Sequence, residues 1–184
     1  RGSGLNGLVS LDKKSKVGNK NLLRPLLNEN KESLVFLSKK VFNFYVKDPS
    51  NEDENFQRIR IRKLIHELQN NGLDKKKFFK TIKNLKYSNN IANYYVNKNL
   101  KNNSSFLIKS NRLILNKVFF EHPYEIVFRA LSEAIRLIGK KYYSVRGKKI
   151  DNIIKSIENN DSLKATLGGC IIEKVNQTVI ISKE

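Results

Sequence analysis

One apolar stripe limits the folds open to this chain more than any other feature. Ile126, Val127, Ala130, Leu131, Ala134, Ile135 and Ile138 recur at helical spacing behind His122-Pro123 and stop at Gly139. A stripe that wide must lie against another apolar layer. Ile150, Ile153, Ile154 and Ile157 predict a second helix of the same kind. The layer they cover reads as β. Phe106–Ile108 and Leu113–Leu115 predict a hairpin about Ser110-Asn111. Thr166–Ile172 leads into Val179–Ile181 across Asn176-Gln177, and Gly168-Gly169 permits a tight bend. Helices beside short hairpins make a small α+β domain, expected over residues 104–184.

Upstream the rhythm changes. Asn21–Leu27 reads as a short strand ending near Pro25, since proline suits strand ends. Lys31–Phe44 reads as a helix with a stripe of Leu34, Leu37, Val41 and Phe44. Strand, helix and turn in this order are the rhythm of the last unit of an α/β domain. Asp48-Pro49 then marks a turn. Ser50 is the expected N-cap, with Asp53 completing a capping box. Glu52, Asp53 and Glu54 would fill the first turn, where the dipole favours acids. The helix should run from about residue 54 to Asn70 and stop at Asn71-Gly72. Ile61, Leu64, Ile65 and Leu68 form its predicted stripe. Arg58 and Arg62, four apart, share a face, and paired guanidinium forks suit phosphate. Arg60 points elsewhere. A solvated basic face is the commoner fate of such a run. His66 lies on the polar side with Arg62, with no partner that would make it catalytic.

The middle of the chain is strongly basic. From Leu73 to Phe120 the only acid is Asp74. Phe78, Phe79, Ile82 and Leu85, then Ile91, Tyr94 and Tyr95, predict one or two helices, read as a basic helical hairpin over 73–103. Asn99–Ser105 reads as a polar linker. Tyr87, Tyr94 and Tyr95 could stack on bases, but at helical spacing they are more often core. The whole chain carries 36 Lys+Arg against 17 Asp+Glu, a net charge of +19. Such an excess points to a polyanionic partner, most simply nucleic acid. Heavy use of Lys and Asn also fits an AT-rich genome, which would leave part of the charge without function.

Three anchor segments, with a short strand between them, resemble one family. D-P-S-N, an acidic spacer, an aromatic and R-x-R-x-R resemble the segment that closes the catalytic domain of bacterial tRNA(Ile)-lysidine synthetases. Asp48, Ser50, Asn51, Arg58 and Arg62 match its core, and Arg60 matches a subset of the family. Arg1-Gly2-Ser3-Gly4 with Gly7 and Leu8 resembles the family's R-G-[ST]-G-x-x-G-L segment. Read without the resemblance, that segment is a flexible, Gly-rich terminus. Arg24-Pro25-Leu26-Leu27 resembles a strand of the same domain. T-L-G-G-C at Thr166–Cys170, with Tyr143-Ser144-Val145-Arg146, resembles the tail of alphaproteobacterial members. Cys170 reads as a small core residue rather than a nucleophile.

The resemblance implies a fold and a chemistry. Residues 1–72 would end an α/β PP-loop ATPase-like domain, 73–103 would be a basic helical linker, and 104–184 a tRNA-binding domain. The family activates the C2 carbonyl of the wobble cytidine in the CAU anticodon of tRNA(Ile) with ATP and Mg2+. Free lysine then displaces AMP. By resemblance, Arg1, Gly2, Ser3, Gly4, Asp48, Asn51, Arg58 and Arg62 border the pocket. In the expected roles Asp48 fixes an arginine or the lysine ammonium, and Asn51 holds the loop. Lys76, Lys80, Lys83, Arg146, Lys148 and Lys149 are the expected RNA contacts.

The chain departs from the family's pattern in lacking the S-G-G-x-D-S nucleotide loop and an H-x-x-D-D segment. It also contains no methionine, so it reads as a truncated piece whose residues wall a pocket without completing it. No motif present here binds ATP or a metal alone. Two alternatives stand beside the enzyme: a non-catalytic RNA-binding module, and a structural assembly protein. One cysteine, two distant histidines and no long apolar run predict no disulfide, no zinc site, no membrane span and a cytoplasmic location. A homodimer is left open.

Overall fold

The computed structural model describes residues 4–9, 11–17, 20–141, 145, 147–159 and 163–184. They form two compact units, Arg1–Lys86 and Tyr87–Glu184.

In the second unit the apolar stripe lies where its spacing requires. Helix α5 spans Tyr124–Ile138, with Pro123 before it and Gly139 closing it through an N–H bond to the Ile135 carbonyl. All seven stripe residues are buried. Helix α6, Gly147–Glu158, buries Ile150, Ile153, Ile154 and Ile157. Both helices share one core with a five-stranded antiparallel sheet of order β3-β4-β7-β6-β5. The strands are β3 Ser104–Leu107, β4 Arg112–Leu115, β5 Lys164–Leu167, β6 Cys170–Val175 and β7 Thr178–Lys183. Register places Leu113 opposite Ile181, and Ile181 opposite Ile172, so one buried row crosses three strands. Alternation along β6 and β7 then puts Cys170 and Val179 on the same buried face. The hairpin about Ser110-Asn111 forms as expected, with Asn111 left-handed at φ 49°. The tail has one strand more than its sequence predicts, because Gly168 and Gly169 turn the chain fully between β5 and β6.

The first unit is built from short pieces. Gly4–Leu8 is a five-residue helix, α1, where the sequence predicted a flexible loop. Strands β1 Lys14–Val17 and β2 Lys20–Leu23 form an antiparallel hairpin. The expected strand therefore ends at Leu23, and Pro25–Asn28 is a 3-10 turn. Arg24 binds the hairpin instead of extending it. Its Nη1 donates to the Asp12 carbonyl at 3.1 Å and to Ser15 Oγ at 2.9 Å. Helix α2, Lys31–Phe42, is capped by Asn30, which accepts from the Ser33 N–H at 2.8 Å.

Two helical expectations change. Helix α3 spans Gln57–Asn70, begins three residues later than expected and has no side-chain cap. Asp48, not Ser50, caps here, and it caps a 3-10 turn at Pro49–Asn51. Asp53 accepts from Asn55 N–H at 2.9 Å, so the acidic residues lie in a turn ahead of the helix. Inside α3 the buried residue is Ile59, while Ile61, Leu64, Ile65 and Leu68 are exposed. The predicted basic hairpin is one 29-residue helix, α4, Lys75–Asn103. Asp74 starts it, accepting from the Lys76 N–H at 2.7 Å. With no breaker between its two stripes, the helix simply continues. Residues 75–86 belong to the first unit and 87–103 to the second. The expected polar linker at Asn99–Ser105 is thus helix and strand. Asn99 is 1% exposed because its Nδ2 donates to the Phe119 carbonyl at 3.0 Å. Tyr87, Tyr94 and Tyr95 are exposed rather than core.

Candidate functional site

The turn before α3 carries the most polar chemistry of the first unit. Asp48 Oδ1 accepts from the Ser50 N–H at 2.9 Å, and the Asn51 N–H donates to the Asp48 carbonyl at 3.1 Å. The Ser50 hydrogen bonds hold the Asp48 carboxyl below its ordinary pKa, and the Arg58 charge adds to this. Asp48, rather than Asn51, is therefore the side chain that holds the loop. Arg58, Arg60 and Arg62 all lie exposed on the first half of α3. The Arg58 guanidinium stands 5.4 Å from the centroid of the Phe56 ring, within reach of a cation–π contact. That contact fixes one end of the Arg58–Arg62 pair while leaving its donors open to solvent.

A groove of about 570 Å³ adjoins the turn. Asn51 lines it with Lys31, Lys39, Lys47, Glu32 and Glu52. Lys47 and Glu52 form an exposed ion pair, which raises the lysine pKa and lowers that of the glutamate. The three lysines were not singled out from the sequence. They are spread over α2 and the loop after it, and only the fold brings them to one groove. Such a groove can hold an anionic group beside Asn51.

The expected RNA contacts fall in two places. Lys76, Lys80 and Lys83 are exposed along the first half of α4, at spacings of four and three that share one face. Lys148 and Lys149 are exposed in the first turn of α6. The structure therefore assigns the two sets to different units. Gly4 opens α1 with φ +57°. Arg1, Gly2, Ser3 and Arg146 lie outside the described residues, as do Tyr143 and Ser144. His66 is exposed on α3. Cys170 is fully buried, and its Sγ donates to the Ile135 carbonyl at 3.4 Å. Burial pushes its thiol pKa up, which suits a core residue and not a nucleophile.

In the second unit a further cavity of about 480 Å³ opens between the second half of α4 and the start of α5. Beside it runs a polar chain that the sequence reading missed. Asn103 Nδ2 donates to Asn99 Oδ1 at 2.8 Å and lies 3.3 Å from His122 Nε2. Asn99 and Asn103 are four apart, a spacing that predicts a shared face but not a partner.

The PP-loop domain family matches residues 1–69. Proteins called tRNA(Ile)-lysidine synthase match most or all of the chain. Those of Wolbachia sp. subsp. Brugia malayi and Wolbachia pipientis wMel are each 29% identical across 100% of it. That of Bartonella quintana is 24% identical across 83%. The chain is similar to the tRNA(Ile)-lysidine synthases along its whole length. It spans 43% of the length of the two Wolbachia proteins. The described residues form a mixed α/β fold, and none of their helices is long and apolar enough to cross a membrane.

Proposed function

We propose that this chain is the part of a tRNA(Ile)-lysidine synthase that walls the reaction pocket and grips the tRNA. The observation that carries this reading is the similarity to proteins of that name along the whole chain. Residues 1–72 are the closing part of the catalytic domain, 73–103 a basic linker and 104–184 the tRNA-binding domain. The match to the PP-loop family over 1–69 supports the first assignment. So does the exposure of most large apolar side chains described before residue 86, as in one side of a larger domain. The protein works in the cytoplasm, on tRNA(Ile) with a CAU anticodon and on free lysine, and a homodimer is its proposed assembly.

ATP and Mg2+ belong to the complete enzyme in this reading. ATP makes the C2 oxygen of the wobble cytidine a leaving group, and the amine of lysine then displaces AMP. The residues present do not build that nucleotide site. The S-G-G-x-D-S loop is absent from the 184 residues. Among the described residues, no group of three His, Cys, Asp or Glu is placed for a metal. No step of adenylation is therefore assigned to them. What they supply is positive charge near developing negative charge, from Arg58 and Arg62.

The test uses a polypeptide that joins this chain to a nucleotide-loop segment and forms lysidine. Arg58→Ala and Arg62→Ala should each lower kcat/KM about one to two decades, the worth of a charge-assisted contact at about 1.5–3 kcal/mol. Arg58→Lys should stay impaired, because lysine lacks the planar fork. Arg60→Ala should matter less. Normal activity in the Arg58 and Arg62 variants would remove them from the pocket. Loss of activity together with loss of folding would make them structural. The chain without that segment should release no AMP from ATP, lysine and tRNA.

A further inference from the structure

The cavity of the second unit is outside the pocket just described, and its lining has an uncommon division of chemistry. Its floor is apolar, formed by Ile91, Ala92 and Ile126. Tyr95 lines it and is 48% exposed. The Tyr94 ring meets Tyr95 edge-on, centroids 5.4 Å apart at 84°, which limits where the Tyr95 ring can turn. The rim carries Lys98, Asn102 and Glu125, and the Glu125 carboxylate is neutralised by its ion pair with Arg129 at 2.7 Å. Asn102 is exposed, and among the described residues its amide has no hydrogen-bond partner. Asn103 has its Nδ2 committed to Asn99, which leaves its Oδ1 as an acceptor at the same rim. His122 lines the same cavity, with its Nε2 3.3 Å from Asn103 Nδ2.

We propose that this cavity receives one unstacked nucleobase of a single-stranded RNA segment. A base needs an aromatic face to stack on, an apolar bed and amides to read its edge. Tyr95, the Ile91–Ala92–Ile126 floor and the two asparagines supply those three things. Lys98 stands where the phosphate of the same nucleotide would run. An apolar peptide side chain would use the floor but would leave the Asn102 amide and Lys98 without a role. The volume lies in the usual range for small-ligand sites, about 300–1,000 Å³. The proposal rests on RNA being the partner. It does not depend on lysidine chemistry.

The experiment uses the full chain and short labelled RNA pentamers, with and without a base at the central ribose, read by fluorescence anisotropy. Tyr95→Ala should weaken the base-bearing RNA about tenfold, the scale of one base–aromatic stack. It should leave the abasic RNA within about twofold. Tyr95→Phe keeps the ring and should bind as the parent does. Equal weakening of both RNAs, or no weakening of either, overturns the proposal. A second measurement needs no variant: RNA carrying 4-thiouridine should cross-link to the peptide that contains Tyr95. Cross-links confined to peptides outside 88–126 overturn it too. None of these assays contains ATP, lysine or tRNA(Ile). Failure to form lysidine would therefore leave this site standing, and loss of the site would leave the lysidine reading standing.

Discussion

At the scale of single residues, the tightest constraint is at the end of α5. A Cβ on Gly139 would lie 2.2 Å from the Gly168 carbonyl oxygen and 3.1 Å from that of Ile135. Both are backbone atoms, so neither can swing away. Glycine is needed there for space, because its own φ of −73° is ordinary. Gly168 needs glycine twice over, for φ +67° and for the Val145 and Ile135 side chains within 3 Å of its missing Cβ. Gly139→Ala should lower stability by about 1–3 kcal/mol, as overpacking does, read as an earlier denaturation midpoint. An unchanged midpoint would show that α5 and the β5–β6 turn can separate at no cost. Cys170 sits in the same corner. It should resist a thiol reagent in the folded protein and react once denaturant is added.

At the scale of elements, α4 decides how charge is displayed. A continuous helix lays Lys76, Lys80 and Lys83 along one line, as a contact to a phosphate backbone requires. Changing all three to Ala should weaken binding to any tRNA about equally. It should also flatten the dependence of log K on log salt by roughly 2–3 if each lysine meets one phosphate. A slope unchanged by the triple substitution would remove this face from the interface. On α5 the consequences are in stability instead. Leu131 and Ile135 are fully buried, and truncating either to Ala should cost about 2–5 kcal/mol.

At the scale of the whole molecule, burial is unevenly shared. Among the described residues, every buried apolar side chain apart from Ile59 belongs to the second unit. The first unit leaves Phe36, Phe42, Phe44, Phe56, Phe78 and Phe79 exposed. Apolar burial is the main source of stability, so the two units should differ widely in resistance to opening. Limited proteolysis should cut first before residue 86 and leave a resistant core within 87–184. Amide exchange should show slow protons mainly in α5, β4, β6 and β7. Equal protection of both units would contradict this.

The sequence alone determined whatever depends on period and on turn chemistry. The α5 and α6 stripes, the hairpin about Asn111 and the Gly168-Gly169 bend were legible because each is a local pattern with one apolar face to bury. The resemblance to the tRNA(Ile)-lysidine synthases was legible because D-P-S-N and T-L-G-G-C stand as short contiguous motifs. Partner choice was not legible. Ile61, Leu64, Ile65 and Leu68 have the spacing of a buried stripe, yet they are exposed, because periodicity shows which side chains share a face and not whether anything covers it. Capping was misread for a related reason. Ser50 and Asp48 both suit a cap, and the backbone path after Pro49 gave the role to Asp48. Only the tertiary structure brought Lys31, Lys39 and Lys47 to one groove beside Asn51. It alone set Asn99 and Asn103 against Phe119 and His122, about twenty residues away. Contacts between distant segments are fixed by how elements pack, and no spacing along the chain encodes them.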